Sequence, residues 1–252
     1  MTDREAIKLN FLQQNGFAEF ERHPLPGDAS TRRYERLTGN GKSLMLMDQP
    51  LVTDGQPIHA NDSLVERQAA GYMAMARLSG GRIDAFVGVS DYLRGQGLSA
   101  PEILAIDTDN GLLVSEDLGQ GLFADLIAKG QDAAPLYMAA IEGLIQLHAL
   151  TPPDVLSTGW PLMVYDDLAL KTGADLFIEW WPQYDPAHPV SKVAAAEWEN
   201  LWAPLRKRAE GGASVFTHRD FHAENLLWLP EREGVARVGL IDFQDALRAH
   251  PR

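Results

Sequence analysis

The chain contains no cysteine. Disulfides, thiolate zinc sites and cysteine nucleophiles are therefore excluded outright. No apolar run approaches the roughly 20 residues of a membrane span, and Met1-Thr2-Asp3-Arg4-Glu5 lacks the apolar region of a signal peptide. The expectation is a cytoplasmic protein with no membrane contact. Basic residues are scarce, with 22 Lys and Arg against 35 Asp and Glu, a formal net charge of −13. A nucleic-acid binder would carry a basic face, so nucleic acid is not expected as a partner. Any phosphate group must instead be held by local devices: a metal ion, backbone N–H groups or a few Arg side chains. No internal repeat or low-complexity linker interrupts the 252 residues, which at 45% hydrophobic can bury one large core or two lobes.

What is present is concentrated in one run, His218-Arg219-Asp220-Phe221-His222-Ala223-Glu224-Asn225, followed downstream by Ile241-Asp242-Phe243. The pattern is H-x-D-x-x-x-x-N and then an apolar strand ending in D-F. Leu226 to Leu229 and Val235 to Ile241 read as two strands, joined by the turn Pro230-Glu231-Arg232-Glu233-Gly234. A hairpin folded at its middle brings its open ends together, so Asn225 and Asp242 are expected to be neighbours. Each offers a hard oxygen of the kind Mg²⁺ takes when nucleotide phosphates complete its shell. Asp220, a short loop upstream, is placed to accept a proton from a substrate hydroxyl and aim it at a γ-phosphate. Kinase folds deliver a substrate-orienting Asp and two Mg²⁺ ligands with this spacing. A hairpin with scattered polar ends is the plainer reading. All three residues in this order favour the functional one.

The remainder divides into a sheet-rich first part and a helical second part. Thr2 and Glu5 make a capping-box pair for a helix running to about Gly16. Strands are expected over 20–25, 32–37 and 44–47 in an antiparallel sheet, followed by a polar loop from Asp54 to Asn61. Ser63 and Glu66 cap a helix predicted to end near Gly80, and Asp84 to Arg94 forms the next. Pro101 to Ile106 and Leu112 to Ser115 flank the hairpin turn Asp109-Asn110-Gly111. Three amphipathic helices follow. They are marked by Leu136, Ile141, Leu144 and Leu147; by Leu168, Leu176, Phe177 and Trp180; and by Val193, Trp198, Leu201, Trp202 and Leu205. The pattern is α+β: an antiparallel-sheet lobe over 1–116, a mainly helical lobe over 117–252, and a cleft between them.

Five stretches together resemble the aminoglycoside phosphotransferase-like kinases. They are Gly27-Asp28-Ala29-Ser30-Thr31-Arg32-Arg33-Tyr34, Leu46-Met47-Asp48, Leu113 to Gly119, His218 to Leu227, and Leu240 to Ala246. Within that family the chain is similar to the bacterial anomeric kinases of N-acetylmuramate and N-acetylglucosamine. The resemblance implies a two-lobed protein-kinase fold and an ATP- and Mg²⁺-dependent transfer of phosphate to the anomeric hydroxyl of a small-molecule sugar, in cell-wall recycling. It implies Asp220 as catalytic base, with Asn225 and Asp242 as Mg²⁺ ligands. Gly27, Asp28, Ala29, Ser30 and Thr31 would cover the nucleotide phosphates, and Glu116 to Leu118 would be the hinge whose backbone holds adenine. Two departures stand out. Kinases carry a Lys on the third strand, yet Ser43 to Met47 has none and Lys42 precedes that stretch, so Arg32 or Arg33 beside the phosphate loop would supply the charge instead. Family members also continue beyond the position of Arg252, so the chain is expected to be partial there. An antibiotic-modifying aminoglycoside kinase and a nucleotide-binding module without turnover are the alternative readings.

Other side chains carry less weight. His218 reads as a packing and hydrogen-bonding prop for its loop, and Arg219 as half of a local ion pair. Asp245 is equally a second acid near the metals or the cap of a following helix. His222 is equally a substrate contact or a loop-surface residue. Trp160, Tyr165, Trp180 and Trp181 offer faces that stack on sugars, although aromatics at helical spacing are more often core; Trp180 is kept as a substrate candidate. Glu179, Asp91 and Glu66 read as surface residues, and His148 as a helix-end residue suited to the dipole.

Overall fold

The computed structural model describes residues 3–27, 32–50, 59 and 61–251. The Thr2 cap and most of the expected polar loop after Asp54 lie outside them. Helix α1 (Asp3–Gln14) leads into strands β1 (Glu21–Pro24), β2 (Arg33–Gly39) and β3 (Lys42–Asp48). Strands β4 (Ile103–Asp107) and β5 (Leu112–Glu116) complete one antiparallel sheet in the order β1-β2-β3-β5-β4. The β2–β3 turn places Asn40 and Gly41 at φ 53° and 72°, the left-handed pair that suits a tight hairpin. At the β4–β5 turn the constraint is steric as well. Gly111 has φ 67°, and a Cβ there would lie 1.9 Å from the carbonyl oxygen of Gln49, so only glycine fits.

Strand alternation gives this sheet two different faces. On one, Leu37, Leu44, Leu46, Leu112 and Val114 pack beneath Phe11 and Leu12 of α1. Beside them lies an ionic cluster: Lys8 reaches Glu35 at 2.7 Å and Asp48 at 3.6 Å, while Arg22 reaches Glu35 at 2.6 Å. Lys8, Glu35 and Asp48 are all buried. Burial pushes the Glu35 carboxyl up, but hydrogen bonds from Arg22 and Lys8 more than reverse this and hold it below its ordinary value. Glu5, bonded by Arg22 and Lys8, is held at about 2. The opposite face contributes Met47 and Leu113 to the main core.

Between β3 and β4 run α2 (Leu64–Ala70), α3 (Tyr72–Met75) and α4 (Ile83–Gly95). Ser63 and Glu66 form the expected capping box. The single helix predicted to continue towards Gly80 is broken instead, because Gly71 adopts φ 93° and ends α2. Phe86, Val89 and Leu93 of α4 do share a buried face. They meet Phe123 of α5 (Phe123–Ala128) and Leu136 and Leu147 of α6 (Ala133–His148).

Helices α7 (Asp167–Tyr184) and α8 (Lys192–Gly211) pack together and precede β6 (Val215–Thr217). A hairpin of β7 (Leu226–Trp228) and β8 (Val238–Leu240) follows, and β9 (Leu247–Ala249) pairs with β6. The expected helical periods are present, but the buried stripes differ. On α6 the buried residues are Leu136, Ala140, Gly143 and Leu147, while Ile141 is exposed. Phe177, Trp180, Val193, Leu201 and Leu205 are exposed on α7 and α8. The second hairpin strand starts later than predicted, because residues Gly234–Arg237 turn as a 3₁₀-helix. Among the described residues no helix is long and apolar enough to cross a membrane.

Lys8→Met leaves buried carboxylates short of a partner and should cost roughly 3 kcal/mol in urea unfolding. The pH dependence has a definite sign. A carboxyl whose folded pKa is depressed adds stability above its unfolded value of 4.5, and that stability is lost as pH falls through the folded pKa. The wild-type chain should therefore lose stability below about pH 4.5 more steeply than Lys8→Met.

Candidate active site

The hairpin pairs Leu226 with Leu240 and Trp228 with Val238. One step beyond the ladder, the Ile241 N–H donates to the Asn225 carbonyl at 3.2 Å. Asn225 and Asp242 thus stand together at the open end, as their spacing predicts. The Asn225 amide nitrogen donates to the Asp220 carbonyl at 3.0 Å and so closes the loop between them. With that nitrogen committed, the carboxamide oxygen is the atom Asn225 can offer a cation. The His222 N–H also donates to the Asp220 carbonyl, at 3.1 Å, and its exposed ring sits 3.3 Å from the Asn225 nitrogen. The Asp220 side chain is exposed.

His218 lies beneath this loop, 3% exposed, with its ring edge-on to Phe221 at 5.8 Å and Phe243 at 6.5 Å. Burial drives its pKa down, against the pull of the Asp242 and Asp220 carboxylates, so the ring is neutral near pH 7. His218 props the loop by packing against Phe221 and Phe243.

Two corners of the site are left-handed: Arg219 at φ 78° and Asp242 at φ 58°. Asp tolerates this region; for Arg it costs on the order of 1 kcal/mol. Arg219 is held there by donating to the carbonyls of Ala76 at 3.0 Å and Arg77 at 3.4 Å, and its guanidinium lies 4.9 Å over Tyr165. These partners are backbone carbonyls and a ring, where a local ion pair was expected.

Gln244, which no sequence motif above singles out, is buried. Its nitrogen donates to Asp242 Oδ1 at 3.0 Å and approaches Asp245 Oδ2 at 3.5 Å, while its oxygen accepts from Arg32 Nη1 at 2.8 Å. An amide between two acids in D-F-Q-D was the available signal. Asp245 Oδ1 accepts the Ser79 N–H at 2.5 Å. The chain then enters β9, so Asp245 clamps the loop before α4 and does not cap a following helix.

The two candidate arginines separate by face. Arg33 pairs with Asp48 across β2–β3 and joins Lys8, Arg22 and Glu35 around a cavity of about 540 Å³ beneath α1. Arg32 turns the other way, its Nη2 lying 3.4 Å from Asp242 Oδ1. Asp28, Ala29, Ser30 and Thr31 lie outside the described residues; Gly27 is exposed beside the Arg33 guanidinium. Glu116 ends β5 and pairs with Arg232 of the hairpin turn, while Leu118 packs with Leu227 and Leu229. Between them Asp117 binds Arg36 at 2.7 Å and accepts the Gly119 N–H at 2.9 Å.

The aromatic candidates scatter. Trp160 is buried beneath Arg82, Tyr165 supports Arg219, and the Trp181 nitrogen donates to the His188 carbonyl at 3.1 Å. Trp180 is exposed on α7, as is Glu179. Asp91 accepts from Ser157, and His148 ends α6 at the surface.

Among the described residues no group of three or more His, Cys, Asp or Glu could hold a metal unaided. Asn225 and Asp242 nevertheless fit Mg²⁺, which keeps waters and takes further oxygens from phosphates.

An antiparallel sheet followed by helices and a polar-ended hairpin defines a protein-kinase-like fold. Solved structures agree. An aminoglycoside phosphotransferase APH(4)-Ia, in complex with ADP and hygromycin B, superposes with TM-score 0.58 at 15% identity, covering 99% of this chain and 74% of that one. The choline kinase LicA from Streptococcus pneumoniae gives 0.55 at 17% identity, covering 99% and 73%. The chain belongs to the phosphotransferase enzyme family, which it matches over residues 21–252. Among curated relatives, an N-acetylmuramate/N-acetylglucosamine kinase of Caulobacter vibrioides is 53% identical over 99% of this chain and 69% of its own length. One of Pseudomonas aeruginosa is 30% identical over 89% and 55% respectively.

Asp245→Ala releases the Ser79 N–H and should lower stability by about 2 kcal/mol, read as a fall in melting temperature.

Proposed function

We propose that this chain uses ATP to phosphorylate the anomeric hydroxyl of N-acetylmuramate or N-acetylglucosamine. The observation that supports the reading is the hairpin end, where Asn225 stands next to the Ile241–Asp242 step and its side-chain nitrogen bonds the Asp220 carbonyl. The acceptor class comes from the Caulobacter relative's similarity over nearly the whole chain.

In this reading residues 1–116 hold the nucleotide, and 117–252 supply the catalytic groups and the sugar side. The backbone of Glu116 to Leu118 receives adenine, and the segment from Gly27 covers the phosphates. The Asn225 carboxamide oxygen and the Asp242 carboxylate would hold Mg²⁺, which when bound neutralises phosphate charge. The exposed Asp220 carboxylate accepts the proton of the sugar hydroxyl. The sugar oxygen then bonds to the γ-phosphorus as the bond to the β–γ bridging oxygen breaks, and ADP leaves. His218, neutral and buried, packs beneath the loop that carries Asp220. His222, exposed beside Asn225, is the side chain assigned to sugar recognition, and the setting is the cytoplasm.

Asp220→Asn should lower turnover roughly 10²–10⁴-fold with ATP affinity nearly unchanged, since the carboxylate acts on the acceptor. Coupled ADP-release assays with N-acetylmuramate, N-acetylglucosamine and a kanamycin-type acceptor test the substrate class. Turnover confined to the aminoglycoside would overturn the proposal.

A further inference from the structure

The face of β3 turned to the main core carries Met45 and Met47, where protein kinases place the lysine that holds the nucleotide phosphates. The register across β2–β3 shows what stands there instead. Tyr34 lies directly opposite Met47 and directs its hydroxyl to the Met47 sulfur at 3.5 Å. Arg32, two residues before Tyr34, continues the same face by strand alternation. Its side chain and Met47 line one small cavity with Gln49, Phe86 and Gln244. Arg32 is only 16% exposed there, with Nη1 on the Gln244 oxygen at 2.8 Å and Nη2 3.4 Å from Asp242. Arg33, one residue on, belongs to the α1 face with Glu35 and Asp48.

We propose that Arg32 is the phosphate-binding cation of this site, reaching the third-strand position from the preceding strand's approach. This rests on the nucleotide-site reading above. Without nucleotide, the guanidinium balances Asp242, the carboxylate assigned to the metal. With nucleotide bound, Asp242 would hold the cation and Arg32 the phosphate oxygens, so the largely buried guanidinium would keep an anionic partner at either stage. Gln244 is the positioning residue, since it bonds Arg32 and Asp242 at once and keeps the guanidinium plane aimed. A planar fork suits two phosphate oxygens better than an ammonium does.

The test measures binding of Mg-ADP and of adenosine to the full chain by calorimetry, independent of turnover. Arg32→Ala should weaken Mg-ADP roughly 10- to 100-fold and leave adenosine within about twofold, because only the phosphates lose a partner. The loss should exceed that of Arg33→Ala by at least about tenfold. Adding Met47→Lys to Arg32→Ala should recover part of the Mg-ADP affinity, since it puts a cation on the core-facing side of β3, the side opposite Lys42. If the wild-type chain binds no Mg-ADP, the nucleotide site itself is wrong. If wild type binds and Arg32→Ala binds equally well, the assignment to Arg32 is overturned. An equal loss for adenosine and Mg-ADP would also overturn it, because Arg32 would then serve only the fold.

Discussion

The pairing of Leu226 with Leu240 is the interaction on which the site depends. Both side chains are buried in the core that also holds Phe243 and Val238, so the hairpin cannot slip without exposing several large apolar groups. A slip of one residue would also turn Asn225 away from Asp242, since side chains alternate along a strand. The apolar register and the polar chemistry are thus a single constraint. Asn225 then adds its bond to the Asp220 carbonyl, so the loop carrying Asp220 is closed from the same anchor.

Local chemistry explains which parts were legible in the sequence. The hairpin was visible because its signals are short-range: apolar runs, a Pro-to-Gly turn and fixed polar ends. The sheet strands and the Ser63–Glu66 capping box were visible for the same reason. The β6–β9 pairing was not, because strands of three residues carry no period and their partners lie some thirty positions apart. The buried stripes of α6, α7 and α8 were misjudged because periodicity says that a helix has an apolar face, not which neighbour covers it. Gln244 escaped notice since its importance lies in three partners, one of them Arg32, more than two hundred residues away.

Charge in this acidic chain is arranged by pairing rather than by fields. Lys8 and Arg22 sit among Glu5, Glu35 and Asp48, while Arg67 and Arg77 share Asp166. Each cluster fastens one segment: α1 to its sheet in the first case, the α2–α3 region to the start of α7 in the second. Burial raises the Asp166 carboxyl, and Arg67, the Ala169 N–H and Arg77 outweigh it, so its charge persists well into acid. The pairs around Asp242 differ in being few and partly open to solvent, which suits groups that must exchange partners.

The tie between Glu116 and Arg232 has a mechanical consequence. Arg232 sits in the bend of the hairpin whose other extremity bears Asn225 and Asp242, and Arg232 also bonds Ser99 at 2.6 Å. The hairpin therefore works as a caliper arm, hooked to the rim of β5 at one tip and carrying the oxygen donors at the other. The ion pair at its bend thus ties the position of the oxygen donors to the end of β5 through the length of one hairpin.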